Sequence, residues 1–77
     1  MKTNTNLKDA PIGSRCVIGS VNDNLSIKQR LSELGFYTGA VVDKLYSGFN
    51  GSPIAFRVSG AVIALRCDDA EKIIAEI

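Results

Sequence analysis

The clearest helical pattern in the sequence stops abruptly at a glycine. Ile27, Leu31 and Leu34 recur at i, i+4 and i+7, which places them in one narrow apolar stripe on a helix. Gly35 ends this pattern, because glycine adopts the left-handed conformation of a helix end without steric cost. A Schellman-type end at Gly35 would bring Phe36 back against Leu31. The sequence therefore predicts one short helix at this position, and most of the remaining chain must form other secondary structure.

The start of the helix is preceded by a polar break, which is formed by Asn22, Asp23 and Asn24. Asn24 is one candidate cap, because asparagine accepts backbone hydrogen bonds at helix starts. Ser26 and Gln29 have the spacing of a capping box and provide an alternative. The two hypotheses differ by two residues in where the helix begins.

The remaining sequence alternates like β structure. After a turn at 11–13, a strand runs to Val21 with Cys16 and Ile18 on its inward face. Further strands are predicted at 40–47, 54–59 and 61–67, with a loop at 48–53 and a tight turn at 59–60. Asp43 and Lys44 are adjacent, so neither face of strand 40–47 is cleanly apolar, which predicts a bulge.

The C-terminal residues allow two predictions. In one, Asp68 or Asp69 caps a single helical turn, and Ile73, Ala75 and Ile77 alternate as a closing strand. In the other, a continuous helix runs to the end of the chain. A final strand with a free edge would also be a place for two copies to pair, which agrees with a monomer or a weak homo-oligomer.

These elements predict a mostly β fold. We expect a small closed barrel of about five strands, because closure hides the edges of a sheet, with one short helix after the first strand and a helical turn near the C-terminus. Residues 1–9 are predicted to be a loose lead-in and residues 10–77 a single domain. Met1 predicts that the chain is complete.

The composition argues against several classes of function. Nine basic and eight acidic residues leave a net charge of +1, whereas nucleic-acid modules usually carry a clear basic excess. The chain has no histidine and only two cysteines, Cys16 and Cys67, so it lacks the usual ligands of a zinc site and a conventional base for catalysis. Both cysteines are interpreted as small buried apolar residues. No apolar run is long enough to span a membrane, and we predict a cytoplasmic protein that is not an enzyme.

A few side chains are candidates for contact with a partner. Phe49 is an apolar ring in a glycine-rich loop, GFNG at 48–51, where it is poorly placed to enter the core. Such a loop also matches the backbone clamp of KH domains, but strands flank it where a KH loop needs helices, so we interpret it as a hairpin loop. Lys44, Arg57 and Arg66 are interpreted as outward, solvated positions. Tyr37 follows the packed ring of Phe36 and carries a hydroxyl that prefers a polar partner.

The order of these motifs resembles the FeoA family, small cytoplasmic proteins associated with bacterial ferrous iron uptake. The resemblance rests on RLSELGFYTGAVV, GSPIAFRV and GAVIALRCDDAEKI. The residues that match the family's structural motif are Arg30, Leu31, Leu34, Gly35, Gly39, Gly51, Pro53, Leu65, Arg66 and Ala70. The chain departs from the family pattern at Thr38, Gly48, Phe49, Ser52 and Cys67, mainly on loops, so these differences concern partner specificity more than the fold.

The resemblance implies an SH3-like barrel and a role beside FeoB, the membrane iron transporter with a cytosolic GTPase domain. It implies neither a cofactor nor an intrinsic metal site, and we predict none. The partner-binding residues are predicted to be Tyr37, Phe49, Asn50 and Arg57. Two alternatives stay open: a free-standing regulatory domain related to the C-terminal domain of DtxR-type metal-dependent repressors, and a small nucleic-acid-binding barrel.

Overall fold

The computed structural model describes residues 3–21 and 24–77, so that Met1, Lys2 and the predicted break at Asn22 and Asp23 lie outside it. Within the described residues, strands and two short helices follow one another along the chain. Their bounds are β1 Asn4–Asn6, β2 Arg15–Val21, α1 Leu25–Glu33, β3 Val41–Ser47, β4 Ile54–Val58, β5 Ala61–Leu65, α2 Cys67–Glu71 and β6 Ile73–Glu76. A single 3₁₀ turn, Phe49–Gly51, connects β3 to β4.

The strands form one six-stranded antiparallel sheet in the order β1-β6-β2-β3-β4-β5. The predicted mostly β, small barrel-like fold is confirmed, with six strands rather than about five. The predicted closure of the barrel is not observed: β1 and β5 lie at the two edges of the sheet, which remains open. The predicted bulge in β3 is also confirmed, since the register of β3 against β4 shifts between Lys44 and Tyr46.

The extra strand is β1, in the segment that the sequence predicts to be a loose lead-in. That prediction is wrong for residues 4–7. Asn4, Thr5 and Asn6 pair with β6, and Leu7 is fully buried in the core. The polar NTN sequence does not predict a strand, because the strand is stabilised by pairing with the far end of the chain and not by local propensity.

The C-terminal segment is a helical turn followed by a strand, and the continuous helix is excluded. Asp68 and Asp69 lie in the first turn of α2, and the cap position belongs to Arg66, so the predicted capping role is wrong. Cys67 begins α2 and does not extend the preceding strand. The last strand, β6, lies between β1 and β2 and has no free edge for a second copy, contrary to the sequence-based expectation.

The end of α1 has the predicted Schellman geometry. The amide of Phe36 donates to the carbonyl of Leu31 at 2.9 Å, and the amide of Gly35 donates to that of Ser32 at 3.0 Å. Gly35 has φ of +108°, and both Leu31 and Phe36 are fully buried. Leu34 is exposed at the cap, so the predicted apolar stripe holds for only part of the helix.

At the start of α1, the side chain of Asn24 accepts a hydrogen bond from the amide of Ile27 at 2.9 Å. Asn24 is therefore the cap, and the capping-box hypothesis is wrong.

At the other end of the helix, the ring of Phe36 meets that of Phe56 on β4 edge to face, with centroids 5.5 Å apart. This contact joins the helix end to the middle of β4, in a core that also contains Cys16 on its predicted inward face.

Candidate functional site

Phe49 is the most exposed large apolar side chain of the described residues, with 92% of its surface open to solvent. It lies in the loop between β3 and β4, which is closed by backbone hydrogen bonds. The amide of Gly48 donates to the carbonyl of Pro53 at 2.7 Å, and that of Gly51 donates to the carbonyl of Gly48 at 2.9 Å. Asn50 follows Phe49 in the left-handed conformation, with φ of +65°. The loop therefore presents an apolar ring on a hydrogen-bonded support.

Cys67 provides a second support for the same loop. Its thiol donates to the carbonyl of Gly51 at 2.8 Å, and its amide donates to the hydroxyl of Ser52 at 3.4 Å. The side chain is only partly buried, so the prediction of a buried apolar cysteine is wrong for Cys67, whereas Cys16 is fully buried. Cys67 thus connects the start of α2 to the loop that carries Phe49.

Tyr37 lies in the turn between α1 and β3, with half of its surface exposed. The amide of Ala40 donates to its carbonyl at 2.9 Å, and the amide of Gly39, at φ of +90°, donates to the carbonyl of Ile18 at 2.7 Å. This turn is thereby fixed against β2. On the adjoining strands, Val17 and Val41 are exposed and directly opposite each other, which adds apolar surface to this end of the sheet.

A charged row crosses the outer face of the sheet between these two regions. Arg15, Asp43 and Arg57 occupy paired positions on β2, β3 and β4. The guanidinium of Arg15 donates to Asp43 at 2.9 Å, and this bond holds the pKa of the Asp43 carboxyl below its ordinary value. The row borders an open groove of about 490 Å³, which is lined by Gly13, Arg15, Asp43, Lys44, Leu45 and Arg57.

The four predicted partner-binding residues do not form one surface. Phe49 and Asn50 follow the end of β3, whereas Tyr37 precedes its start. A seven-residue strand spans about 20 Å, so the two regions lie at opposite ends of the β3–β4 hairpin. Arg57 is paired with Asp43 in the first half of β3 and belongs to the end with Tyr37.

Lys44 is a further residue that the sequence-based prediction places wrongly. It is 4% exposed, not solvated, and its ammonium donates to the carbonyls of Lys8 at 2.8 Å and Ala10 at 2.7 Å. The alternation of side chains along the strand could have indicated this burial, because Lys44 is two residues from the buried Val42 and lies on the same face. These two bonds fasten the segment after β1 to the core.

The motif residues of the family resemblance lie at junctions between elements. Arg30 on α1 donates to Asp69 on α2 at 3.0 Å, and Leu65 is buried at the end of β5. Pro53 follows a cis peptide bond, and Arg66 is exposed at the start of α2.

Among residues 3–21 and 24–77, no group of three or more histidine, cysteine, aspartate or glutamate side chains is placed to hold a metal ion. None of the helices in this part of the chain is long and apolar enough to cross a membrane.

The described geometry defines a small antiparallel β domain of SH3-like architecture, with exposed rings and arginines as its candidate contact residues. The chain belongs to the FeoA family, because the family model described as FeoA domain matches residues 5–77. This membership indicates an accessory role in ferrous iron transport. No curated protein sequence matches the chain significantly.

Two solved structures show how close the likeness is. A FeoA of Stenotrophomonas maltophilia, solved in complex with zinc and described as a procaryotic SH3 domain protein, is 32% identical, with a TM-score of 0.79 over 92% of this chain and 88% of that one. FeoA from Chlorobium tepidum is 29% identical, with a TM-score of 0.86 over 95% of this chain and 70% of that one.

A similar fold also occurs inside a longer protein. IdeR of T. acidophilum has a TM-score of 0.84 at 16% identity, and the match covers 97% of this chain but 34% of that one. At this identity the likeness concerns the fold alone. It shows that the same architecture also serves as one part of a larger chain.

Proposed function

We propose that this protein is a non-enzymatic, cytoplasmic accessory module of ferrous iron uptake that binds the cytosolic part of a FeoB-type membrane transporter and modulates transport. Membership of the FeoA family supports the pathway. The relative from Stenotrophomonas maltophilia is itself described as a candidate activating factor of bacterial ferrous iron transport.

The observation that carries the proposal is the exposure of Phe49 on a hydrogen-bonded loop. An aromatic ring held open to solvent gains apolar burial when a partner covers it. Because the Gly48–Pro53 and Cys67–Gly51 bonds already order the loop, binding costs less conformational entropy than it would with a free loop. Phe49 and Asn50 are therefore the first contact region.

Tyr37 and Arg57 form the second contact region, at the other end of the hairpin. Tyrosine and arginine are common among the residues that dominate binding energy at protein interfaces. A partner that covers both regions must extend over the roughly 20 Å of β3, which is within the size of an ordinary protein interface. A smaller partner surface would bind at one region only.

Affinity capture of the detergent-solubilised transporter tests this proposal. Phe49→Ala should reduce capture about tenfold or more, as expected for an aromatic residue that anchors an interface, and Tyr37→Ala should reduce it if both regions are used. Leu25→Ala is the matched control, because Leu25 is 78% exposed at the start of α1, away from the β3–β4 loop. Capture that is unchanged in both variants removes these residues from the interface, and a wild-type protein that captures no transporter contradicts the role.

A second candidate is a free-standing regulatory domain related to the C-terminal domain of DtxR-type metal-dependent repressors, and the fold shared with part of the longer IdeR chain is the observation that supports it. The two candidates predict different partners for the same purified protein. Capture of a DNA-binding repressor in place of the transporter would support the second candidate.

A further inference from the structure

The two edges of the sheet differ in how well they are protected. β1 is three residues long and polar, with the sequence NTN. β5 is five residues long, with the sequence AVIAL, and contains no charge, no proline and no bulge against β4. Natural sheets usually protect their edges with short strands, charges, prolines or bulges. β5 has none of these devices.

The register of the β4–β5 hairpin identifies the backbone groups that face outward. Ser59 and Gly60 both have positive φ, +50° and +83°, which makes a two-residue turn of the primed type. The pair that flanks such a turn, Val58 and Ala61, exchanges both hydrogen bonds, and every second pair along the hairpin does the same. Val62 and Ala64 occupy the intervening positions, so their amides and carbonyls point away from β4.

The side chains around these groups leave the edge open. Val62 is 56% exposed, and Ala61 and Ala64 are also exposed. β5 lies at the edge of the sheet, and Val62 and Ala64 form no backbone hydrogen bond to a described residue outside the β4–β5 pair, so their outward amides and carbonyls are available to bond an added strand. Ile63, in contrast, packs against the core and fixes the position of β5.

The charges next to β5 indicate what kind of strand fits. Arg57 lies directly opposite Val62 on β4, and Arg66 follows the last residue of β5. Both are exposed, and neither lies within ion-pair distance of a described carboxylate, although Arg57 is near enough to Asp43 to help lower the pKa of that carboxyl. A strand added to β5 would lie about 9–10 Å from β4, a distance that an arginine and a glutamate side chain span together. A second copy of this chain would bring further arginines to the edge instead of carboxylates.

We propose that β5 is a docking edge for an extended segment of a partner protein, apolar at alternate positions and acidic at both ends, which adds to the sheet as a further strand. The backbone groups of Val62 and Ala64 bond the segment, and Arg57 and Arg66 select its acidic ends. This surface is separate from the Phe49 loop and shares only Arg57 with the second contact region proposed for the transporter; its backbone contacts do not depend on the transporter partnership.

A designed peptide tests the proposal on the intact chain. The probe is a capped peptide with alternating valine and threonine in its centre and two glutamates at each end, and its control has lysines in place of the glutamates. The acidic probe, titrated to on the order of 1 mM, should shift the backbone NMR signals of Val62 and Ala64 and slow the exchange of their amide hydrogens. The lysine peptide should bind at least about tenfold more weakly.

Two variants separate the backbone and charge contributions. Ala64→Pro removes one outward amide at a position where an edge strand tolerates proline and should weaken the acidic peptide about fivefold or more, whereas Ala64→Val keeps the amide and should bind as the wild type. Arg57→Gln combined with Arg66→Gln leaves the backbone intact and should remove the preference for the acidic peptide, which keeps the test valid if the proline variant unfolds.

Three results would overturn the proposal. One is equal binding of the acidic and lysine peptides, and another is the absence of any shift at Val62 and Ala64. The third is amide protection at these two residues that rises with protein concentration without peptide, because β5 would then pair with a second copy. The peptide measurements contain no transporter, so they succeed or fail independently of the proposed function.

Discussion

Gly35 and Val58 approach each other so closely that a Cβ atom on Gly35 would collide with Cγ1 of Val58. Gly35 is thus constrained twice, by this contact and by its φ of +108°. The contact brings the end of α1 onto β4, next to the Phe36–Phe56 ring pair. One glycine therefore sets both where the helix ends and how closely it packs on the sheet.

Gly35→Ala should destabilise the protein by about 2–4 kcal/mol, which combines the cost of a left-handed alanine with that of overpacking. Gly39→Ala is the matched control, because Gly39 has a similar φ of +90° but nothing within 4 Å of an added Cβ. It should cost only about 1–2 kcal/mol. Urea unfolding of the two variants measures the difference, and equal losses of unfolding free energy would show that the contact with Val58 does not contribute to the destabilisation.

Lys44→Met should lower the free energy of unfolding by about 1–3 kcal/mol, because the carbonyls of Lys8 and Ala10 lose their donor. The loss should be accompanied by faster amide exchange in the segment that follows β1. Lys28→Met, on the exposed face of α1, is the control and should change stability little. Unaltered exchange after β1 in Lys44→Met would contradict the fastening role.

Burial also lowers the pKa of the Lys44 ammonium below its ordinary value of 10.5. Between the folded-state pKa and 10.5 the unfolded chain binds more protons, so the Lys44 contribution to stability rises with pH in this window. Below the folded-state pKa the desolvation penalty of the charged ammonium is constant, and the two hydrogen bonds to Lys8 and Ala10 act against it. The difference in unfolding free energy between wild type and Lys44→Met, followed over alkaline pH, should show this rise, and a flat difference would contradict it.

Asp43 should give stability that is lost in acid. Its pKa is lowered from 3.8 by the hydrogen bond from Arg15, so the contribution is present above 3.8 and disappears as pH falls through the folded-state value. Asp43→Asn should remove this acid-dependent part of the unfolding curve. Arg15→Gln should remove most of the same part, and the double variant should add little, since both changes break one interaction. Fully additive losses would show that the two residues act separately.

Cys67→Ala should loosen the Phe49 loop, whereas Cys67→Ser should keep it ordered, because serine retains a donor for the carbonyl of Gly51. The loss of stability for alanine should stay near or below about 1 kcal/mol, as expected for a weak donor. The NMR signals of Asn50 and Gly51 report the order of the loop directly. Identical spectra of the loop in both variants would contradict the supporting role of the thiol.

Local chemistry made some features predictable from the sequence. The helix end at Gly35 and the cap candidate Asn24 depend on residues within one turn of each other, and β2 to β5 follow from alternation between turn residues. The features that were missed depend on long-range pairing. β1 is visible only beside β6, and the burial of Lys44 makes sense only when the carbonyls of Lys8 and Ala10 are brought to it.

The candidate site was predictable residue by residue but not as a surface. The exposure of Phe49 follows from its glycine-rich loop, and that of Tyr37 from its place after a packed ring. Their separation by the length of β3 depends on the hairpin itself. The open edge at β5 likewise emerges only from the strand order, because the sequence AVIAL fits a central strand equally well.

The most direct test of the proposed function is an isotope-edited NMR titration of this protein with the cytosolic domain of a FeoB-type transporter. We expect saturable shifts at Phe49 and Asn50, with a second set at Tyr37 and Arg57 if the partner spans the hairpin. Signals on the exposed face of α1, such as that of Lys28, should stay in place. Saturable binding with no shift in either contact region would contradict the assigned surface, and the absence of any shift at saturating transporter domain would contradict the proposed partnership.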